Sequence, residues 1–188
     1  SEEGQFIAHV RNLLASSGLQ EVVTHSLTPT SVFDTSSEDP RRVPVRNALS
    51  SEIGGLRRSH LPGLLQVAQR NATRAGQHSL ALFEVGRVWQ NEIIAGMHTP
   101  VEFLSVAGLL MGELEESGWQ KDRTPLIADF GAVRGVLERL LSGLHIDKVG
   151  WEPLGESASD YPQFHPGRTA LVSFGEDYPT GIVGELHP

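Results

Sequence analysis

The sequence contains no cysteine, so it can form neither a disulfide nor a metal site built on thiolates. It has no apolar run near the ~20 residues that a membrane-spanning helix needs, and we expect no signal peptide before Ser1. The glycine-rich motifs G-x-G-x-x-G and G-x-x-x-x-G-K-[ST] are absent as well. The absence of the glycine-rich motifs excludes a Rossmann-type or P-loop nucleotide site. The absence of a long apolar run and of a signal peptide predicts a cytoplasmic protein without a membrane partner.

Two further kinds of chemistry lack their sequence patterns. None of the eight histidines lies three or four residues from another, so no pair can chelate a metal from one helix face. The nucleophile motif G-x-S-x-G is also absent. We therefore predict no metal site in this chain and no serine-based hydrolase activity.

The composition that remains is that of an ordinary globular protein. Hydrophobic residues make up 39% of the 188 residues and charged residues 20%. This length predicts a single domain over residues 1–188 with a sizeable core. The chain begins without Met and stops just after a strand-like segment, which predicts an excised fragment of a longer protein.

The net charge of −8 is unevenly distributed. Residues 101–188 carry fourteen acidic and six basic residues, whereas residues 1–100 carry nine of each. Residues 41–87 hold eight arginines against Glu52 and Glu84. A nucleic-acid binder usually shows a domain-wide basic surplus. Solvated or paired arginines are therefore favoured here over an RNA-binding face, which stays open as a weaker hypothesis.

Apolar periodicity and turn residues predict alternating helices and strands. Ser59 is the expected N-cap of a helix with Pro62 in its first turn, and Asp129 caps a second helix. Strands separated by a few long helices indicate an α+β fold with an antiparallel sheet flanked by helices. The predicted elements are helix 5–17, strand 21–27, a strand near 43–45, helix 61–72, strand 82–92, central strand 102–111, helix 130–144, strand 146–151, and a hairpin of strands 169–174 and 181–186. The predicted loops are 34–44, 91–100, 112–125 and 153–166.

Residues 83–92, Phe-Glu-Val-Gly-Arg-Val-Trp-Gln-Asn-Glu, resemble motif 2 of class II aminoacyl-tRNA synthetases. Residues 47–65 resemble more specifically the core of bacterial phenylalanyl-tRNA synthetase β subunits, and residues 164–168 and 184–188 agree. The resemblance implies the class II catalytic-core fold in degenerate form. The residues that carry it are Glu84, Gly86, Arg87, Gln90 and Glu92 in motif 2, and Ser51, Glu52, Arg57, Pro62, Gly63, His165, Pro166, Gly167 and Arg168 in the other segments.

The resemblance also implies which charges are missing. In the family, motif 2 supplies an arginine that grips phosphate, and Gln90 stands at that position. Arg87 is an odd number of residues away, which on a strand places it on the opposite face. Residues 181–188, similar to motif 3, contain no arginine. We therefore predict no catalytic residue and no cofactor in this chain. The alternative is an active class II-like ATP-dependent ligase with non-standard residues.

The resemblance finally implies partners. Helix 5–17 followed by a strand is similar to motif 1, which dimerises in class II synthetases; its apolar stripe of Phe6, Val10, Leu13 and Leu14 is either an interface or ordinary core. The implied partner is the α subunit in an (αβ)2 assembly that binds ATP, Mg²⁺ and tRNA. Residues 165–168 are expected to form a structural turn, with Gly167 permitting positive φ and Arg168 in an interface or a salt bridge.

Overall fold

The computed structural model describes residues 1–29, 41–48, 50, 53–94, 96–114, 125–155, 159, 161–174 and 180–187. Their helices and strands, in chain order, are α1 Glu2–Ser16, β1 Gln20–Glu21, β2 Leu27–Thr28, β3 Gly55–Leu56, α2 Leu61–Arg74, β4 Leu80–Ile94, β5 Met97–Met111, α3 Phe130–Gly143, β6 Val149–Pro153, β7 Phe164–Phe174 and β8 Gly181–Leu186. Within these residues, no helix is long and apolar enough to cross a bilayer. The α+β prediction is confirmed.

The chain folds into two compact units. The β4 unit comprises Gln20–Leu109, and the α3 unit comprises Ser1–Leu19 with Leu110–Pro188. The prediction that residues 1–188 form a single domain stays a prediction.

The β4 unit is built on a three-stranded sheet in the order β1-β4-β5. β1 runs parallel to β4, and Gln20 pairs with Leu82. Residues 95 and 96 alone connect β4 to β5, a length typical of antiparallel hairpins. Helix α2 packs against β4, and it buries Leu64 and Ala68 on the side where β4 supplies apolar core residues. β2 and β3 form a separate antiparallel pair.

The α3 unit combines two helices with an antiparallel sheet in the order β6-β7-β8. Helix α3 packs against both α1 and β8. Its N-cap is Asp129, as predicted, because the carboxylate accepts a 2.7 Å hydrogen bond from the Ala132 amide. The core of this unit includes Val10, Leu14, Leu19, Leu140, Leu141, Leu154, Phe164, Ala170 and Val172.

Three strand and loop predictions in the β4 unit were wrong. Segment 21–27 forms only the ends of two short strands, because the Thr24 amide binds the Glu84 carboxylate and not a neighbouring strand. Segment 91–100 is not a loop, because residues 91–94 belong to β4 and residues 97–100 to β5; polar Asn91 and exposed apolar residues hide the alternation that marks a strand. β5 is not central among the described strands, since β4 lies in the middle.

Smaller corrections concern element ends. The N-cap position of α2 is His60 and not Ser59, although Ser59 Oγ accepts a 3.1 Å bond from the Leu61 amide. Pro62 lies in the first turn, as predicted. Near 43–45 there is an isolated bridge between Pro44 and Gly55. Two further bounds differ from the prediction. β6 covers Val149–Pro153 and not residues 146–151, and β7 starts at Phe164 and not at residue 169, so residues 165–168 belong to a strand.

Candidate functional site: the motif 2-like strand and the Arg57–Glu84 pair

A buried ion pair joins the motif 2-like strand to the segment before α2. Arg57 Nη1 donates to Glu84 Oε1 at 2.6 Å, and the two side chains are 6% and 2% exposed. Glu84 is the first polar residue of the motif 2-like segment and stands between buried Phe83 and Val85. A buried charge is costly unless it is paired, so Arg57 is what allows a carboxylate at this place in the core.

Thr24 completes the bonding of both charges. Its amide donates to Glu84 Oε1 at 3.1 Å, and its hydroxyl donates to Oε2 at 2.7 Å. Arg57 Nη1 also lies 3.0 Å from Thr24 Oγ1, and Arg57 Nε donates to the Arg87 carbonyl at 2.9 Å. The guanidinium is therefore held by a carboxylate, a hydroxyl and a backbone oxygen. It has no freedom to bind a nucleotide phosphate.

The electrostatics of Glu84 follow from this bonding. Burial by itself raises the pKa of Glu84, but the hydrogen bonds from Thr24 and Arg57 outweigh burial and hold that pKa below its ordinary value. The carboxylate is therefore ionised at neutral pH, and the buried pair is a true ion pair.

His60 lies against the same carboxylate. Burial and the Arg57 charge lower the pKa of His60, against the opposing influence of Glu84. The imidazole is therefore neutral at neutral pH, with Nε2 donating to the Ser105 carbonyl at 3.2 Å. Its Nδ1 lies 3.6 Å from Glu84 Oε1 without a hydrogen-bond partner in the described part of the chain. His60 thus ties β5 to the ion pair.

Two glycines of the family-like segments leave the space for this cluster. A Cβ at Gly86 would lie 2.9 Å from Arg57 Nη2 and 3.3 Å from His60 Cε1. A Cβ at Gly63 would lie only 2.4 Å from Thr24 Oγ1. Four of the family-like residues therefore belong to one close-packed polar core: Arg57, Gly63, Glu84 and Gly86.

The rest of the motif 2-like strand uses other partners. Gln90 Nε2 donates to Glu92 Oε1 at 3.2 Å. Arg87 pairs with Glu102 of β5 at 3.3 Å, and Trp89 Nε1 donates to the same carboxylate at 3.0 Å. Gln90 therefore contacts a carboxylate where the family motif has an arginine, while the Arg87 charge is balanced across the hairpin.

The segment of residues 165–168 is a bulge in β7 and not a free turn. Phe164 pairs with Leu186 and Thr169 with Gly184, so β7 inserts extra residues relative to β8. Inside the bulge the Gly167 amide donates to His165 Nδ1 at 3.1 Å, and Gly167 does not use the positive φ that a glycine permits. Arg168 Nε forms a 2.6 Å salt bridge with Glu185.

The motif 1-like helix presents a divided stripe. Val10 and Leu14 are buried within the α3 unit, and Leu13 lies against Gly143 of α3. Phe6 is 49% exposed. Three of the four interface candidates thus pack inside the α3 unit, and Phe6 is the exposed one.

Sequence reasoning missed Thr24, His60 and Glu102 as members of the site. The isolated acid Glu84 between apolar neighbours was the available signal for a buried partner, yet nothing in the spacing identifies Arg57 over the other arginines. Ser51 and Glu52 lie outside the described residues. Within the described ranges, no group of three His, Asp or Glu side chains could hold a metal ion.

The sequence matches known proteins over its whole length. The family model described as "Phenylalanyl tRNA synthetase beta chain CLM domain" matches residues 1–188. The phenylalanine–tRNA ligase beta subunit of Symbiobacterium thermophilum is 36% identical over all of this chain and 20% of its own length. That of Moorella thermoacetica is 38% identical over 95% of this chain and 21% of its own length. The chain spans about a fifth of the length of these curated relatives.

A solved structure gives the fold. A pyrrolysyl tRNA synthetase of Desulfitobacterium hafniense superposes with a TM-score of 0.60 at 18% identity, covering 90% of this chain and 51% of that one. This likeness confirms the class II synthetase fold that the motif 2-like segment predicted, and at this identity it shows the fold alone.

Proposed function

Because the chain belongs to the family of phenylalanyl tRNA synthetase beta chain CLM domains, we propose that it is a non-catalytic core module of a phenylalanine–tRNA ligase. One observation carries the proposal. Where the family motif has a phosphate-gripping arginine, the chain has neutral Gln90, and the nearby Arg57 is bonded inside the protein to Glu84.

The energetics favour a scaffold over an active site. Adenylate formation builds negative charge on phosphate oxygens, and positioned arginines and Mg²⁺ stabilise that charge. Removing one such group typically costs ~10²-fold in rate. Moving Arg57 to a substrate would leave Glu84 buried without its counter-ion, which is strongly destabilising. The buried pair supports a role in folding, and the ATP and Mg²⁺ of the reaction belong elsewhere in the assembly.

The proposed partner is the α subunit, in an (αβ)2 assembly that acts on tRNA in the cytoplasm. Phe6 of α1 is the first contact to consider, since it is the exposed member of the motif 1-like stripe. An exposed aromatic residue on a helix is a typical anchor of a protein interface. Val10 and Leu14 are buried and serve the fold.

The test compares the chain alone with the reconstituted assembly. Phenylalanine-dependent pyrophosphate exchange is expected to stay at background for the chain alone and to appear when the α subunit is added. Gln90→Arg is expected to leave the isolated chain inactive, because catalytic groups act as a unit. Exchange by the chain alone, clearly above background, would support the alternative of an active ligase with non-standard residues.

The interface has its own test. Phe6→Asp should weaken α-subunit binding while circular dichroism shows an intact fold, whereas Leu14→Asp should unfold the α3 unit. Normal α-subunit binding by folded Phe6→Asp would place the contact elsewhere.

A further inference from the structure

The solvent-facing side of α2 carries positive charge without any acid. Arg70 and Arg74 are both exposed there, one helical turn apart. Residues 53–83 contain no Asp or Glu, in a chain that has 23 of them. The acid that ends this segment, Glu84, is buried against Arg57. No ion pair involves Arg70 or Arg74 among the residues that the structure describes.

The geometry of the helix aligns these groups. Gln66, Arg70 and Arg74 follow one another at intervals of four residues, so they form a column with ~5–6 Å between neighbouring Cβ atoms. The two guanidinium groups repel each other unless an anion lies between them. At the same spacing on α3, Arg134 is balanced by Glu138 at 2.8 Å, so the chain does neutralise such positions elsewhere.

We propose that the Gln66–Arg70–Arg74 column of α2 contacts the phosphate backbone of the tRNA that the assembly binds. This inference rests on the proposed function. The exposed residues of α2 are all polar: Gln66, Gln69, Arg70, Thr73 and Arg74. A protein interface needs an apolar or aromatic centre, which this face lacks. A phosphate needs only the planar guanidinium forks and neutral donors, which this face supplies.

The test uses the complete β chain assembled with its α subunit. Affinity for a phenylalanine tRNA transcript is measured between 50 and 200 mM salt for the wild type and for Arg70→Gln/Arg74→Gln. We expect about tenfold weaker binding at low salt and a salt slope that is less steep by about 1–2. Arg70→Lys/Arg74→Lys keeps the charge and should keep most of the slope. Arg139→Gln, which removes an exposed arginine of α3, is the matched control and should change neither quantity.

The outcomes separate this inference from the proposed function. Unchanged affinity and slope in an intact assembly overturn the phosphate contact and leave the proposed function standing. Another result would also overturn the phosphate contact: weaker α-subunit binding, with unchanged tRNA affinity of the assembly that still forms. That result would indicate that the column binds an acidic protein surface. Failure of the wild-type chain to assemble with the α subunit contradicts the proposed function itself.

Discussion

Two arginine–glutamate pairs of the same length lie in opposite environments. Arg57–Glu84 and Arg168–Glu185 both measure 2.6 Å. The side chains of the first pair are 6% and 2% exposed, and those of the second are 50% and 29% exposed. Distance therefore does not rank them, because water competes with the second pair and is excluded from the first.

The two pairs also differ in what they connect. Around Arg57 and Glu84, Thr24 and the Arg87 carbonyl complete the hydrogen bonding, so segments far apart in sequence meet at one point. Glu185 joins β8 to the bulge through Arg168, and it accepts a 3.4 Å bond from the Phe130 amide at the start of α3. We therefore predict that the Arg57–Glu84 pair specifies the fold of the β4 unit, whereas the Arg168–Glu185 pair only adjusts the stability of the α3 unit.

The largest expected effect comes from leaving one buried charge alone. Arg57→Leu removes the counter-ion of Glu84 and should lower the free energy of unfolding by about 3–5 kcal/mol, measured by urea denaturation. Replacing both partners, in Arg57→Leu/Glu84→Met, should recover part of that loss because no unpaired charge remains. A loss below about 1 kcal/mol for the single variant would mean that the buried pair contributes no more than a surface pair. The predicted difference between Arg57–Glu84 and Arg168–Glu185 would then be wrong.

The next effect tests how tightly the polar core is packed. Gly63→Ala places a Cβ 2.4 Å from Thr24 Oγ1, so Thr24 must move away from Glu84, at a cost of about 1–3 kcal/mol. Gly135→Ala is the matched control on α3, where no atom lies within 4 Å of the added Cβ. There the same change should stabilise the protein by about 0.5–1 kcal/mol through helix propensity. Equal signs for the two variants, from thermal unfolding curves, would show that the close approach at Gly63 is harmless.

The third effect is a dependence on pH that we expect from His60, which lies against the buried pair. The pKa of His60 is lowered below its ordinary 6.5 in the folded protein, so below pH 6.5 the unfolded chain binds a proton that the folded chain refuses. Stability should therefore fall as pH drops from 7 towards 5, with a slope of at most about 1.4 kcal/mol per pH unit from this one group. Glu84, whose pKa is also lowered, adds a further loss below pH 4.5.

Two histidine variants separate His60 from the rest of the chain. His60→Gln should flatten the decline between pH 7 and 5, whereas exposed His78→Gln should leave it unchanged. A decline that persists undiminished in His60→Gln would assign the pH dependence to other groups.

The sequence predicted the regular parts of the molecule and missed the irregular ones. The helix after Asp129 and the hairpin of β7 and β8 carry their own local signals, a cap and an alternating pattern. Segment 21–27 has the β-branched residues of a strand, yet at Thr24 the amide bonds to the Glu84 carboxylate and the carbonyl accepts from Arg57 Nη1. These two side chains lie far along the sequence, so no local pattern predicts that they interrupt the strand.

The candidate site divides in the same way. Glu84, Arg87 and Gln90 were placed on one strand by the apolar and β-branched pattern of residues 82–92 and by the motif 2 resemblance, and they do lie on β4. The identity of the buried counter-ion was not predictable, because eight arginines between residues 41 and 87 are equivalent in charge. Only the fold brings Arg57 within 2.6 Å of Glu84. The bulge at residues 165–168 was missed for a related reason, since proline and glycine favour turns and bulges alike.

The smallest expected effect belongs to the exposed pair. Arg168→Gln removes the partner of Glu185 but leaves that carboxylate in contact with water, so the loss should stay below about 1 kcal/mol. Because solvent ions screen exposed charges, the difference between wild type and Arg168→Gln should shrink further at 1 M salt, where the screening length is about 3 Å. The cost of Arg57→Leu should change little with salt, because ions do not reach the buried pair.

Denaturation of both variants at low and high salt makes the comparison within one experiment. A loss of 3 kcal/mol or more for Arg168→Gln, unaffected by salt, would mean that a partner or another part of the protein covers this pair, and it would then have to be treated like the buried one.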